Sequence, residues 1–171
     1  AGILVREGSD MYAVGDRVVH PNHGAGTIER IENRNNGGKT EVFYIFRMLV
    51  GSMIVQIPAY SADKIGLRPV ITCEEADRLL TLIKSLEVPH EENWNRRCRE
   101  NMERIKSGDA AEVACVVKSL EQRNRIRSLS SGERKIFHSA SMILTSELAM
   151  AKCIPYESAE KLLESVLEQR L

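Results

Sequence analysis

The pattern of apolar and polar positions changes once along this chain, near residue 70. Before that point, short β-rich runs over residues 17–20, 26–32, 42–48 and 53–57 alternate with turn residues. The run Asn35, Asn36, Gly37, Gly38 predicts a β-hairpin, because asparagine and glycine tolerate the positive φ of such turns. The first 70 residues therefore predict a small twisted β-sheet or open barrel.

Beyond Ile71 the apolar spacing becomes that of amphipathic helices. A capping residue followed three positions later by Glu marks several starts, as in Thr72 with Glu75 and Ser130 with Glu133. The predicted helices begin near Thr72, Asn93, Asp109, Ser130 and Pro155. Together the two parts predict an α+β protein, with an N-terminal β-sheet or open barrel followed by a C-terminal compact five-helix bundle.

The length of 171 residues, of which 43% are hydrophobic, allows one core or two small ones. The change of pattern favours two, over residues 11–70 and 71–171. Residues 1–10 precede Met11 and have the look of an expression remnant, so we expect Met11 to be the natural start.

The cysteines and histidines indicate neither disulfides nor a metal site. Cys73, Cys98, Cys115 and Cys153 are far apart in the chain, and no signal peptide or long apolar run accompanies them. His20 and His23 have no third ligand nearby and are predicted to be polar loop residues. We expect a soluble cytoplasmic protein with reduced thiols, without metal or cofactor.

The net charge of zero argues against a protein that coats nucleic acid indiscriminately. The charge is unevenly placed, however: residues 94–135 hold eleven Lys or Arg against six Asp or Glu, and acidic segments flank them. A basic island of this kind suits a local contact with phosphate.

Trp94, the chain's single tryptophan, lies at the predicted first turn of the second helix. On a helical wheel Trp94, Cys98, Met102 and Ile105 form one stripe, which is typical of a core-facing surface. A residue in a first turn projects past whatever the stripe packs on, so the ring can instead be half exposed. Both interpretations stay open at this point.

The basic residues of the same helix lie opposite that stripe and are predicted to face solvent or a partner. They are Arg96, Arg97, Arg99, Arg104 and Lys106. Glu100 and Glu103 share this face, so a solvated face of salt bridges is one interpretation. The other interpretation is a DNA-binding surface, in which arginines bind phosphates while an apolar ring inserts between unstacked bases.

The fourth helix begins with two cations, Arg134 and Lys135, which oppose the helix dipole. Many surfaces tolerate that small cost. It is also expected where backbone amides and side chains jointly bind a phosphate.

Four separated motifs, in order along the chain, carry a family resemblance. They are Val-Gly-Asp-Arg-Val-Val-His-Pro-Asn-His-Gly at 14–24, Asn-Trp-Asn-Arg-Arg at 93–97, Ser-Gly-Asp at 107–109 and Leu-Ser-Ser-Gly-Glu-Arg-Lys at 129–135. With them the chain closely resembles the CarD/CdnL family of bacterial transcription regulators, from Met11 to about Leu167. The first motif alone is less specific, because a transcription-repair coupling factor shares a similar module.

The resemblance implies that residues 11–70 form a Tudor-like domain that docks on the β subunit of bacterial RNA polymerase by pairing exposed sheet edges. The implied docking edge is the strand Ile54, Val55, Gln56, Ile57 and Pro58. Arg34 corresponds to a basic residue that contacts the polymerase. A second basic family position is Gln56 here, which puts that charge contact in doubt.

The resemblance also implies that the helical part binds promoter DNA at the upstream edge of the transcription bubble, in the minor groove and without sequence specificity. Trp94 then has the role of a wedge in the groove. Arg96, Arg97, Arg99 and Arg134 occupy phosphate-contacting positions, and Lys135 is a further candidate. The implied function is that of a monomeric regulator, associated with the nucleoid through polymerase, that stabilises the promoter open complex.

Two binding functions compete with this one. An adaptor of the transcription machinery without DNA contact would have a buried Trp94 and solvated arginines. An RNA-binding Tudor or KOW-like module would need adjacent aromatic residues to stack bases, and the β-rich part has few. An enzyme is disfavoured, because the sequence contains no recognisable nucleophile with a base, carboxylate pair or metal-ligand cluster.

Overall fold

The computed structural model describes residues 12–168, so the expected expression remnant and Met11 lie outside the described residues. The described part opens with a five-stranded antiparallel sheet in the order β4-β3-β2-β1-β5. The strands are β1 Arg17–His20, β2 Gly24–Asn36, β3 Lys39–Met48, β4 Ile54–Pro58 and β5 Arg68–Pro69. Because β4 and β5 are not paired with each other, the sheet is open.

The turns that connect the strands follow from their glycines. Gly37 and Gly38 have φ of 62° and 88° in the β2–β3 hairpin, which confirms the predicted turn. A register shift between Ile28 and Arg30 places a bulge in β2. The 3-10 turn Ala59–Ser61, the one-turn helix α1 Ala62–Ile65 and strand β5 were not predicted, because elements this short have no measurable periodicity.

Five longer helices follow the sheet, as the sequence predicts. They are α2 Cys73–Ser85, α3 Trp94–Lys106, α4 Ala110–Ile126, α5 Ser131–Lys152 and α6 Tyr156–Glu168. Thr72 forms the complete capping box with Glu75. At Ser130 only half of the expected box is present, because the side chain of Glu133 is used elsewhere. The α+β prediction is confirmed.

The buried side chains form two clusters, one within the sheet and one among the helices. Tyr44, Phe46 and Ile57 contribute to the first. Val19 and Ala25, although they belong to the sheet, pack in the second cluster with the helices. The two parts therefore share an apolar contact.

The sheet and the helices are also joined by a buried ion pair. Both terminal nitrogens of Arg68 donate to Glu147, at 2.6 and 2.7 Å, and the Ile71 N–H donates to the same carboxylate at 3.1 Å. Glu147 is completely buried in α5. Sequence reasoning missed this pair, although a lone glutamate inside an apolar helical segment was a usable signal.

The Gly24 motif is explained by close packing on α5. Gly24 has φ of 79°, and a Cβ there would lie 2.7 Å from Ser146 Oγ. The next residue, Ala25, donates its N–H to that hydroxyl at 2.9 Å. Helix α5 thus lies against β1 and β2, while β4 is the edge strand two positions beyond β2.

The prediction that His20 is a polar loop residue is wrong. Its ring is 6% exposed and stacks on Phe46 at a centroid distance of 6.4 Å. Its Nδ1 accepts the Asn22 N–H at 3.0 Å. Burial, followed by the charge of His23, lowers the pKa of His20 to about 4, so the ring is neutral at physiological pH.

Two further properties of the described residues bear on the choice of site. Between residues 12 and 168, no three His, Cys, Asp or Glu side chains are grouped so that they could hold a metal ion. In the same part of the chain, no helix combines the length and the apolar content needed to span a bilayer.

Candidate nucleic-acid interface

Trp94 is the first residue of α3 and is half exposed. Asn93 caps the helix, accepting the Arg96 N–H at 3.0 Å, and thereby sets where α3 begins. The residue has 47% of its surface in contact with solvent. Exposure of the ring is therefore confirmed, and the interpretation of Trp94 as a core residue is wrong.

One edge of the indole is seated on the N-terminus of α5. Its Nε1–H donates to Ser130 Oγ at 3.0 Å. At Gly132 an added Cβ would lie 3.4 Å from Trp94 Cζ2, which is van der Waals distance, so the ring packs close to this residue. Sequence reasoning missed both partners, although they lie in the 129–135 motif.

Arg97 does not face solvent, contrary to the prediction. It is 6% exposed, and its Nε donates to Glu133 Oε1 at 2.5 Å. Its Nη1 donates to the carbonyl oxygens of Glu91 and Glu92 at 3.0 and 3.1 Å. The guanidinium group is therefore occupied by protein acceptors, and it joins the start of α3 to the start of α5.

The helical wheel predicted the wrong buried face for α3, because polar residues occupy part of that face. That face contains Arg97, Asn101 and Ile105, each 6% exposed. Met102, which the predicted stripe included, is 40% exposed. The predicted buried face was therefore rotated about the helix axis relative to the observed one. A pattern of apolar residues cannot detect a buried arginine whose charge is paired.

Glu133 remains ionised despite being 3% exposed. Burial acts to raise its pKa, but the hydrogen bond and charge of Arg97, together with Arg123, outweigh burial and hold the pKa below its ordinary value. Arg123 Nε lies 3.7 Å from the same carboxylate oxygen. Burial and the charge of Glu133 raise the pKa of Cys98, so this thiol stays protonated.

The remaining predicted phosphate ligands are exposed. Arg96 has a distant pairing with Glu91, at 3.5 Å. Arg99, Arg134 and Lys135 form no ion pair with any other residue between 12 and 168.

The interpretation of the basic face of α3 as a surface of salt bridges within the helix is wrong for the described residues. Neither Glu100 nor Glu103 pairs with an arginine of this helix, and Arg104 instead binds Glu112 of α4 at 2.9 Å. The exposed cations of α3 are therefore not neutralised by the carboxylates of their own helix.

At the sheet, Arg34 and the predicted docking strand form one surface. The Arg34 guanidinium lies over the Phe43 ring, 4.6 Å from its centroid, and Nη1 donates to Gln56 Oε1 at 2.9 Å. Nη2 binds Glu32 at 2.8 Å, and the hydrogen bonds from Arg34 and Arg30 lower the pKa of that glutamate. Because β4 is an edge strand, its outer backbone groups have no neighbouring strand among residues 12–168.

Comparisons with known proteins match two successive parts of the chain. The family model described as "CarD-like/TRCF RID domain" matches residues 12–71, and the one described as "CarD, C-terminal domain" matches residues 78–164. The chain is also similar to the Bacillus subtilis (strain 168) protein named "Putative transcription factor YdeB". The two are 31% identical over 144 residues, which cover 84% of this chain and 94% of that protein.

Proposed function

This chain belongs to the CarD family of transcription factors, and we propose that it docks on RNA polymerase through β4 and stabilises the promoter open complex through Trp94. Residues 12–71 are the family's RNA polymerase-interacting domain, and the family is not one of enzymes. The observation that carries the proposal is the half-exposed Trp94 on the same molecule as a sheet edge, β4, that pairs on its outer side with no strand of residues 12–168.

Docking uses the backbone of β4 and the guanidinium of Arg34. An edge strand can add a strand from the polymerase β subunit, with main-chain hydrogen bonds that need little side-chain specificity. Next to that edge, Met53 and Ile54 are 62% and 46% exposed and offer apolar contact area. Arg34 reaches across β3 to Gln56, so its positive charge lies beside the position at which the family resemblance implies a basic residue.

The DNA contact combines one aromatic ring with cations on α3 and α5. Trp94 is the wedge, and Arg96, Arg99, Arg134 and Lys135 are the phosphate ligands. Arg97 leaves this set because its guanidinium is buried against Glu133. No base-specific donor pattern is involved, so binding is independent of sequence and sensitive to salt.

Docking and wedging act together. Once β4 is bound, DNA binding becomes intramolecular, so a small basic patch suffices in a monomer of zero net charge. A ring that fits only between separated strands binds the open complex better than the closed one and shifts the equilibrium by that difference. If the difference is about 1–2 kcal/mol, open complexes gain roughly five- to thirtyfold.

The test is the lifetime of open complexes formed by purified bacterial polymerase on one promoter, after a competitor challenge. We expect Trp94→Ala to abolish the gain in lifetime while polymerase binding is retained. Met102→Ala is the matched control, because it removes another exposed apolar side chain, 40% exposed, from the same helix. Arg34→Glu should weaken polymerase binding itself. Full activity of Trp94→Ala would favour the adaptor function and contradict the wedge.

A further inference from the structure

The hydroxyl of Ser130 serves two helices at once. As the N-cap of α5 it accepts the Glu133 N–H at 3.2 Å. It also accepts the indole Nε1–H of Trp94, from 36 residues earlier in the chain, at 3.0 Å. A hydroxyl has two lone pairs and one proton, so it can accept both bonds and still donate. The acceptor for that proton is Glu133 Oε2, at 3.4 Å.

The groups around the hydroxyl are held in place by further contacts. Glu133 is held by the buried Arg97, whose Nε lies 2.5 Å from its Oε1. The ring also packs close to Gly132, where an added Cβ would lie 3.4 Å from Trp94 Cζ2. The first turn of α5 therefore presents a fixed acceptor to a ring that is otherwise half in solvent.

We propose that Ser130 is a positioning residue for Trp94, whose hydroxyl holds the indole in the one orientation in which it meets separated DNA strands. The inference rests on the proposed function and adds a residue to it. An unrestrained exposed side chain samples several rotamers, and ordering it on binding reduces affinity by about two- to tenfold. A hydrogen bond of ordinary strength, already formed in the free protein, removes much of that loss.

The test uses two independent readouts on the full chain. Because Trp94 is the single tryptophan, the protein has one indole N–H resonance, whose position and exchange with water report the hydrogen bond directly. The second readout is the open-complex lifetime. We expect Ser130→Ala to shift the indole resonance, to speed its exchange, and to shorten the lifetime by about two- to tenfold.

Three further variants control for effects of Ser130→Ala on helix capping and folding. Ser131→Ala is the matched control, because Ser131 is exposed and its hydroxyl has no hydrogen bond to any residue from 12 to 168. Ser130→Thr keeps a hydroxyl and should restore both readouts. If Ser130→Ala folds poorly, Ser130→Gly removes the same hydroxyl while keeping more of the N-cap preference.

Each pattern of results decides the inference. An unchanged indole resonance in Ser130→Ala overturns it, whatever the transcription result. Faster exchange of the indole N–H in Ser130→Ala, combined with a normal open-complex lifetime, also overturns the inference. The proposed function then stands if Trp94→Ala still shortens the open-complex lifetime. If Trp94→Ala is silent as well, the proposed function fails and the positioning role fails with it.

Discussion

Replacing Arg97 by alanine should destabilise the protein rather than merely weaken its grip on DNA. The Arg97 and Glu133 side chains are 8% and 4% exposed, so the substitution leaves a buried carboxylate without its main partner. Removing one member of a buried pair costs about 3–5 kcal/mol. The lower figure applies here, because Arg123 lies 3.7 Å from the same carboxylate. For a chain of this size, about 3 kcal/mol lowers Tm by roughly 6–12 °C.

The assay is thermal and urea unfolding, with DNA binding to a forked promoter fragment measured at a temperature where every variant is folded. Arg96→Ala is the matched control, since the neighbouring arginine is 60% exposed and should change stability by less than about 1 kcal/mol. Replacing Arg97 and Glu133 together by methionine should recover much of the loss, because no charge is then buried alone. A normal Tm for Arg97→Ala, combined with lost DNA affinity, would refute the reasoning and restore Arg97 as a phosphate ligand.

Three further predictions concern the junction, a buried histidine and the exposed cations. Glu147→Gln leaves Arg68 unpaired and should cost about 3 kcal/mol in urea unfolding; an unchanged midpoint would show the pair to be dispensable. The pKa of His20 falls from 6.5 in the unfolded chain to about 4 in the folded protein, so the unfolded chain takes up the proton at a higher pH. The free energy of unfolding is therefore highest above pH ~7 and declines as the pH falls towards 4. Between pH 7 and 5 this decline should be about 2 kcal/mol larger in the wild type than in His20→Gln, whereas parallel curves would contradict it. Changing Arg134 and Lys135 to glutamine should leave Tm unaltered and reduce the salt slope of DNA binding by up to about 2; an unaltered slope would exclude both as phosphate ligands.

The elements whose causes are local could be predicted from the sequence. The hairpin at Gly37 and Gly38 follows from backbone preferences, and the starts of α2 and α3 follow from the capping side chains of Thr72 and Asn93. The exposure of Trp94 also has a local cause, because a first-turn residue extends past the packed face.

The features that depend on distant partners could not be predicted in this way. Arg97 looks solvent-facing until Glu133, 36 residues away, is placed beside it. Arg68 and Glu147 are 79 residues apart, and His20 at the end of β1 is buried against Phe46, 26 residues later in the chain. Helical spacing describes one element at a time, so it cannot show that an arginine is buried while a methionine of the same helix, such as Met102, is exposed.

The most direct measurement is site-specific photocrosslinking from position 94 in a stalled promoter open complex. A protein carrying Trp94→p-benzoylphenylalanine retains an aromatic side chain at the tip of α3, and adducts can be mapped to single nucleotides. We predict DNA adducts at the upstream junction of the bubble, reduced when Arg34→Glu weakens docking. Adducts confined to polymerase, or to DNA remote from that junction, would contradict the account.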